Sequence, residues 1–205
     1  MTINAPRSAL TSRQQLRKAL RERRRALSDT AQQHAATAVC QQLFTMFTSQ
    51  TRRVAGYLAN DGEIMLGPTL AACHQQTIAV SLPLLHPFTG KHLLFQNYTP
   101  TTPMTANRFG IHEPELNSTQ IRLLHEHDML LMPLVGFDAR GNRLGMGGGF
   151  YDRTLAHVYR LKRRPLLVGI AHDCQQVDTL PVQSWDIPLD CIVTPGQIIT
   201  LSLNI

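Results

Sequence analysis

Eight consecutive residues, Gly145-Met-Gly-Gly-Gly-Phe-Tyr-Asp152, set four glycines beside an aromatic pair and a carboxylate. Residues without side chains let backbone amides approach an anion and form a concave nest, and phosphate is the ligand class such a nest suits. Arg143 stands just upstream, where it could neutralise charge from the other side of the loop. A helix starting near Phe150 or Tyr151 would add free amides and a positive dipole end. The same glycines would serve a tight crossover turn, so both roles stay open on the residues alone. The segment is neither a Walker A loop nor a GxGxxG turn. Asp152 has the chemistry to hold Mg²⁺ against phosphate oxygens, and equally that of a helix cap. Asp190, shortly after Pro188, is a second possible oxygen ligand or an ordinary turn residue.

A second source of positive charge lies near the start of the chain. Between residues 13 and 25, seven basic residues against Glu22 give a net +6, which equals the formal charge of all 205 residues. Arg13 and Arg17 are four apart, as are Arg17 and Arg21, so on a helix they form a ladder suited to successive phosphates, or a solvated basic face. Arg23, Arg24 and Arg25 read as such a solvated surface. Glu63 follows Asp61 and Gly62, where a carboxylate could accept donors from a ring or amide ligand or simply face water. Tyr57, Phe109, Phe150, Tyr151 and Trp185 could line a flat pocket, or pack. The histidines make no HExxH pattern, Ser81 has no GxSxG setting, and Cys40, Cys73, Cys174 and Cys191 form no CxxC pair. Noncovalent positioning is therefore the chemistry the residues favour.

The elements that must position these groups follow from periodicity. Ser12 as N-cap with Gln15 three residues on, then Leu16, Ala19, Leu20 and Leu27, predicts a helix over 13 to 27. Ala35, Ala36, Val39, Cys40, Leu43, Phe44 and Phe47 predict a second helix with a broader buried face. Residues 54 to 59 read as a strand, 67 to 75 as a helix, 77 to 85 and 92 to 96 as strands, and 98 to 115 as a loop. The run Met129-Leu-Leu-Met-Pro-Leu-Val135 reads as a strand covered on both faces, with Pro133 demanding an edge position or a local irregularity. The glycine segment follows it, then a helix over 151 to 162 and strands over 166 to 171 and 191 to 194. Alternating elements favour one α/β domain over residues 1 to 205.

Composition bounds the rest. Apolar residues are 43% and charged residues 17%, as in a packed soluble protein. No apolar stretch reaches the ~18 residues of a membrane span, and polar residues and arginines interrupt any signal-peptide pattern. A cytoplasmic location and no membrane partner are expected.

The string Leu131-Met-Pro-Leu-Val-Gly-Phe-Asp-Ala-Arg-Gly-Asn-Arg-Leu-Gly-Met-Gly-Gly-Gly-Phe-Tyr-Asp-Arg153 closely resembles the signature of the 5-formyltetrahydrofolate cyclo-ligase family. The resemblance extends in order through Arg13-Gln-Gln-Leu-Arg17, Gly62-Glu-Ile, Arg108-Phe-Gly-Ile-His-Glu-Pro114 and Trp185-Asp-Ile-Pro-Leu-Asp190. It implies a three-layer α/β/α sandwich with a mainly parallel sheet, like that of sugar-phosphate isomerases and CoA transferases. It also implies ATP- and Mg²⁺-dependent closure of 5-formyltetrahydrofolate to 5,10-methenyltetrahydrofolate, with phosphoryl activation of the formyl oxygen and ring closure by N10. A monomer acting on a small molecule, with no obligate nucleic acid, is what the resemblance implies.

Carried over residue by residue, the resemblance implies a nucleotide site at Arg13, Arg17, Arg143, Leu144, Gly145, Met146, Gly147, Gly148, Gly149, Phe150 and Tyr151. Folate contacts fall on Glu63, Tyr57, Leu58 and Tyr151, metal contacts on Asp152 and Asp190, and catalytic roles on Tyr151, Arg143 and Asp152. The chain departs from the family where Arg13 replaces a frequent lysine, Phe150 replaces the first of a tyrosine pair, and Met146 stands where some relatives carry a basic residue. Two other classes remain as alternatives: a nucleic-acid module using the basic helix, and a sugar-phosphate isomerase on the related fold.

Overall fold

The computed structural model describes residues 13–201. The first helix, α1, spans Arg13–Arg25, and its expected cap Ser12 lies outside the described residues. Ser28 opens α2 (Asp29–Met46) by accepting the Ala31 N–H on its Oγ at 3.2 Å, which satisfies one of the orphan amides of the first turn. Then come β1 (Arg53–Ala55), α3 (Gly67–Gln75), β2 (Ala79–Leu85) and β3 (Leu93–Tyr98). The short strands β4 (Met104–Ala106), β5 (His112–Pro114) and β6 (Ile121–Arg122) precede β7 (Met129–Pro133). A hairpin of β8 (Gly136–Phe137) and β9 (Arg143–Leu144) leads to α4 (Phe150–Leu155), followed by β10 (Leu166–Ile170), β11 (Cys191–Val193) and β12 (Ile198–Thr200).

Eight strands form one sheet in the order β12-β11-β10-β7-β1-β2-β3-β6. From β11 to β2 the neighbours are parallel, and the antiparallel strands β12, β3 and β6 finish the edges. Alternation along β7 sends Leu131 into a core with α2 and α3, and Leu130 and Met132 into a second core with Leu155 of α4 and Val158. The largely parallel sheet is thus covered by helices on both faces, as an α/β/α sandwich requires. Among the described residues, no helix is long and apolar enough to cross a membrane.

Four expectations change. Pro133 stands in a central strand, not at an edge, but it is the last residue of β7. The Leu134 N–H points to the Ile170 carbonyl on β10, so by alternation the donor that proline lacks faces β1, whose pairing has already ended opposite Leu130. The tract from 98 to 115 is not a plain loop but carries the β4–β5 hairpin. Its strand β4 is exposed throughout, which erases the hydrophobic alternation. Its turn is held by the Asn107 side chain, whose oxygen accepts the Phe109 and Ile111 N–H groups and whose Nδ2 donates to Glu113. The helix expected over 151 to 162 is the six-residue α4 and a separate 3-10 turn at Val158–Arg160, an arrangement that puts both Leu155 and Val158 in the core. The strand β12, which pairs with β11, was not anticipated.

A small third core fixes α1 above the sheet: Leu20 packs with Val135, Leu144 and Leu180. Because Leu20 is almost fully buried, Leu20→Ala removes apolar contact and leaves a cavity, an expected loss of about 2–5 kcal/mol. Urea unfolding measures it, and a loss under about 1 kcal/mol would mean that α1 is not anchored through this side chain.

Candidate functional site

The chain order reverses between β1 and β7, because β1 is followed by β2 on one side while β7 joins from the other. In open parallel sheets a crevice lies outside the carboxyl ends of the strands at such a switch. Residues 56–63 leave the carboxyl end of β1, and from the end of β7 the chain runs through the β8–β9 hairpin into the glycine segment. The helix α1 lies against both: Leu20 meets Leu144 in one core, and Arg21 and Arg24 reach Asp61.

The glycine segment takes conformations that ordinary residues avoid. Gly147 has φ +99° and Gly149 has φ +63°, both in the region that favours glycine. Arg17 donates Nε to the Gly145 carbonyl at 2.8 Å, and a Cβ at Gly147 would meet the Arg17 guanidinium carbon at 3.5 Å. Burial and then the charge of Arg13 push the Arg17 guanidinium below its ordinary value, though a group with that starting point stays charged at neutral pH. Arg13 itself grips Asp186 through Nη1 at 2.5 Å and Nη2 at 3.2 Å, and donates to the Pro181 carbonyl at 2.9 Å. Arg143 donates Nε to the Ile187 carbonyl at 3.0 Å and pairs through Nη2 with Asp152.

Within the same stretch, Leu144 faces the core and acts by packing. Met146 is exposed, with its sulfur 3.8 Å from Arg24 Nη2. Phe150 meets the ring of Phe109 edge-on at 5.8 Å, which brings the tip of the β4–β5 hairpin to the loop. Arg153 donates to the Gly148 carbonyl and to the Lys91 carbonyl, fastening the loop to the β2–β3 turn. The helix dipole expected at Phe150 is small, because α4 has only 6 residues.

A second cluster adjoins the first. Tyr57 is buried and donates its hydroxyl to the Ile64 carbonyl at 2.9 Å. Glu63 accepts the Asn60 N–H at 3.1 Å on Oε2 and has Arg24 Nη2 at 3.7 Å from Oε1. Burial raises the Glu63 carboxyl above its ordinary value, while Arg24 and the Asn60 N–H oppose that shift. Burial and then the Glu63 charge raise both Tyr57 and Tyr151, so the two phenols stay protonated and lie within electrostatic reach of one carboxylate. Leu58 is half-buried against the α2–α3 core.

The structure does not bring every expected residue to this place. Asp190 lies beside the amino-terminal end of β10, where Arg164 grips it at 2.6 and 2.8 Å and the Leu167 N–H at 2.7 Å. Trp185 is 64% exposed, next to the Asp186 that holds Arg13. Asp152 bonds Arg143 and, at 3.4 Å, the Ile187 N–H. Among the described residues no three His, Cys, Asp or Glu side chains gather as an all-protein metal site. Mg²⁺ commonly takes one or two carboxylates and completes its shell with phosphate oxygens and water, a donor set that Asp152 beside the glycine loop fits.

The expectation that Arg23, Arg24 and Arg25 face solvent fails at Arg24, whose side chain is fully buried. Its Nε donates to the Asp61 carbonyl, one terminal nitrogen to the Leu134 carbonyl and the other to the Asp61 carboxylate. Asp61 also receives Arg21 and Arg25, so much of the basic ladder is neutralised within the fold. His172, just past β10, is buried with no partner for Nε2, and burial and the charge of Arg24 lower its basicity. The partners of these groups are distant in sequence, and only the clustering of arginines hinted at a need for carboxylates.

Burial pushes the Cys73 thiol up to about 12 and the Cys191 thiol likewise to about 12. Thiolate is the reactive form, so iodoacetamide at pH 8 is expected to leave both unmodified in the folded protein. Peptide mapping reads this directly, and alkylation of either in the native state would reopen covalent catalysis.

A model of the 5-formyltetrahydrofolate cyclo-ligase family matches residues 9–195. The 5-formyltetrahydrofolate cyclo-ligase of Haemophilus influenzae is 46% identical over 178 residues, covering 86% of this chain and 94% of that protein. The one from Escherichia coli K12 is 44% identical over 180 residues, 87% of this chain and 98% of its own length. The solved 5,10-methenyltetrahydrofolate synthetase of Aquifex aeolicus superposes with TM-score 0.77 at 29% identity, covering 92% of each chain. That of Mycoplasma pneumoniae gives 0.71 at 25% identity, covering 90% of this chain and 99% of its own.

Proposed function

The chain belongs to the 5-formyltetrahydrofolate cyclo-ligase family, and from that premise we propose that the crevice between β1 and β7 is its active site, with nucleotide on the glycine loop and folate beside Glu63. The protein is an enzyme of ATP-dependent cyclisation, converting 5-formyltetrahydrofolate to 5,10-methenyltetrahydrofolate. One observation carries the placement: Arg17 bonds the glycine loop, while Arg24 on the same helix reaches both Met146 of that loop and Glu63. Two ligands held there would meet end to end.

A formamide is a poor electrophile at rest, because resonance moves charge from nitrogen to the carbonyl oxygen. When bound, ATP supplies the phosphoryl group that activates this oxygen, and Mg²⁺ supplies counter-charge for the phosphate oxygens. The chain's task is alignment and neutralisation. Arg17, Arg143 and the amides of residues 145–149 would hold phosphate oxygens without bulky side chains blocking approach, and Asp152 would hold the ion. Asp190 would join it only by leaving the Arg164 fork. Glu63 would accept N–H donors of the folate ring and fix its orientation, and protonated Tyr151 beside it would offer a hydroxyl toward the formyl group. No protein acyl intermediate is needed, because N10 closes the ring once the carbon is activated.

Absorbance of the methenyl product provides the test, with ATP, Mg²⁺ and folate each omitted in turn. Product is expected only when all three are present. Arg17→Ala should raise KM for ATP by about tenfold or more through loss of a charge-assisted contact, with little change in unfolding midpoint. Asp152→Asn should lower kcat by about a hundredfold and raise the Mg²⁺ requirement. Wild-type ATP and Mg²⁺ kinetics in both variants would move the nucleotide away from this loop.

A further inference from the structure

Arg24 is the one arginine of α1 that is sealed from water, and its guanidinium is only partly committed. Three of its contacts are firm: Nε to the Asp61 carbonyl at 2.8 Å, Nη1 to the Leu134 carbonyl at 2.9 Å and Nη2 to the Asp61 carboxylate at 2.8 Å. The remaining reach of Nη2 is loose, 3.7 Å from Glu63 Oε1 and 3.8 Å from the sulfur of Met146. An ion sealed in this way is costly unless every donor is used, and here one nitrogen faces the Glu63 carboxylate beyond hydrogen-bond distance. An apolar side chain would stabilise this position at lower cost if packing were its only duty.

We propose that Arg24 is a positioning residue of the folate subsite: it keeps Glu63 ionised and aimed, and ties that carboxylate to the carboxyl end of β7 and to the glycine loop. The inference rests on the reading of Glu63 as the folate acceptor. The groups facing Glu63 are Arg24 from α1, Tyr57 after β1, Tyr151 from α4 and Asp61 on its own loop, with His172 after β10 beside Gly62. Of these, Arg24 is the firm positive charge. Both tyrosines are neutral acids, Asp61 is already shared among arginines, and His172 is held toward its neutral form. Without Arg24, only the Asn60 N–H would oppose burial, and the carboxyl would hold its proton to higher pH than in the wild type.

Sign follows from that chemistry. A buried carboxyl whose proton affinity rises binds an N–H donor less well at low pH and recovers as pH increases. The test uses Arg24→Met, Arg24→Lys and Glu63→Gln, singly and with Arg24→Met combined with Glu63→Gln. Binding of 5-formyltetrahydrofolate is titrated from pH 6 to 9, alongside KM for ATP and the urea midpoint. For Arg24→Met we expect folate affinity about tenfold weaker at pH 7, partial recovery by pH 9, and a flatter profile in the wild type. Arg24→Lys keeps charge without the fork, so it should lie between the two and serves if the methionine variant fails to fold. In the Glu63→Gln background, Arg24→Met should add little.

Weakening that is independent of pH and equal in both backgrounds would mark a purely structural role and overturn the proposal. So would wild-type folate binding in Arg24→Met, or in a folded Arg24→Lys if the methionine variant is lost. If Glu63→Gln alone binds folate normally, the acceptor reading itself fails, which is a different result from a silent Arg24.

Discussion

One carboxylate holds the active end of this molecule together. The Asp61 carboxylate accepts from Arg21, Arg24 and Arg25, and the carbonyl of the same residue takes a further bond from Arg24. The residue has φ 56°, a left-handed conformation that is uncommon for anything but glycine and tolerated by aspartate. A helix carrying so many like charges is self-repelling along its length, at a few tenths of a kcal/mol per neighbouring pair. Gathering them onto one acceptor turns repulsion into a directed clamp that presses α1 onto the loop following β1.

The clamp has consequences for the rest of the crevice. With α1 fixed by Asp61 at one end and by Asp186 gripping Arg13 at the other, Arg17 between them is aimed at the Gly145 carbonyl. Leu20, on the same helix, fills the small core with Leu144 and so sets the height of the glycine loop above the sheet. Polar and apolar contacts therefore agree on a single placement of α1, a consistency that favours one arrangement over its neighbours. A free polyanion meets less of the ladder than its sequence suggests, since four of its arginines are already paired within the fold. This disfavours a nucleic-acid module and suits a ligand met by Arg17.

Much of this was readable from the residues, for identifiable reasons. The buried run of β7 came from an unbroken hydrophobic pattern, a signal that needs only neighbours in sequence, and the helix expected over 67 to 75 is α3. The glycine segment announced itself because few other roles use four glycines in five positions. What could not be read depends on partners far away in the chain. Helical spacing places Arg24 four residues after Leu20, on the buried stripe and apart from Arg23 and Arg25, but its partners lie 37 positions on at Asp61 and 110 positions on at Leu134, where no local signal reaches. Asp190 read either as an oxygen ligand or as a turn residue, and its partner Arg164, 26 positions earlier, had no local signal. The hairpin of β4 and β5 escaped because its strands are mostly exposed and carry no alternation.

The division of labour between loop and helix then has a physical basis. Residues 145–149 carry no charged side chain, so the loop offers backbone and the uncharged side chain of Met146. The positive side chains at this cradle come from outside the loop: Arg17 and Arg24 on α1, and Arg143 at the end of the preceding hairpin. The proposed anion site would exist only with the helix, the loop after β1 and the loop after β7 all docked. Backbone amides supply direction but little net charge, and guanidinium groups supply charge but little direction unless their far side is anchored. Here Asp61 anchors Arg24, Asp152 anchors Arg143, and Arg17 is held by the Gly145 carbonyl beside Arg13, which Asp186 fixes. Chemistry that depends on bringing a phosphoryl group to a formamide oxygen, with no covalent help from the protein, needs that kind of rigidity more than it needs a reactive side chain.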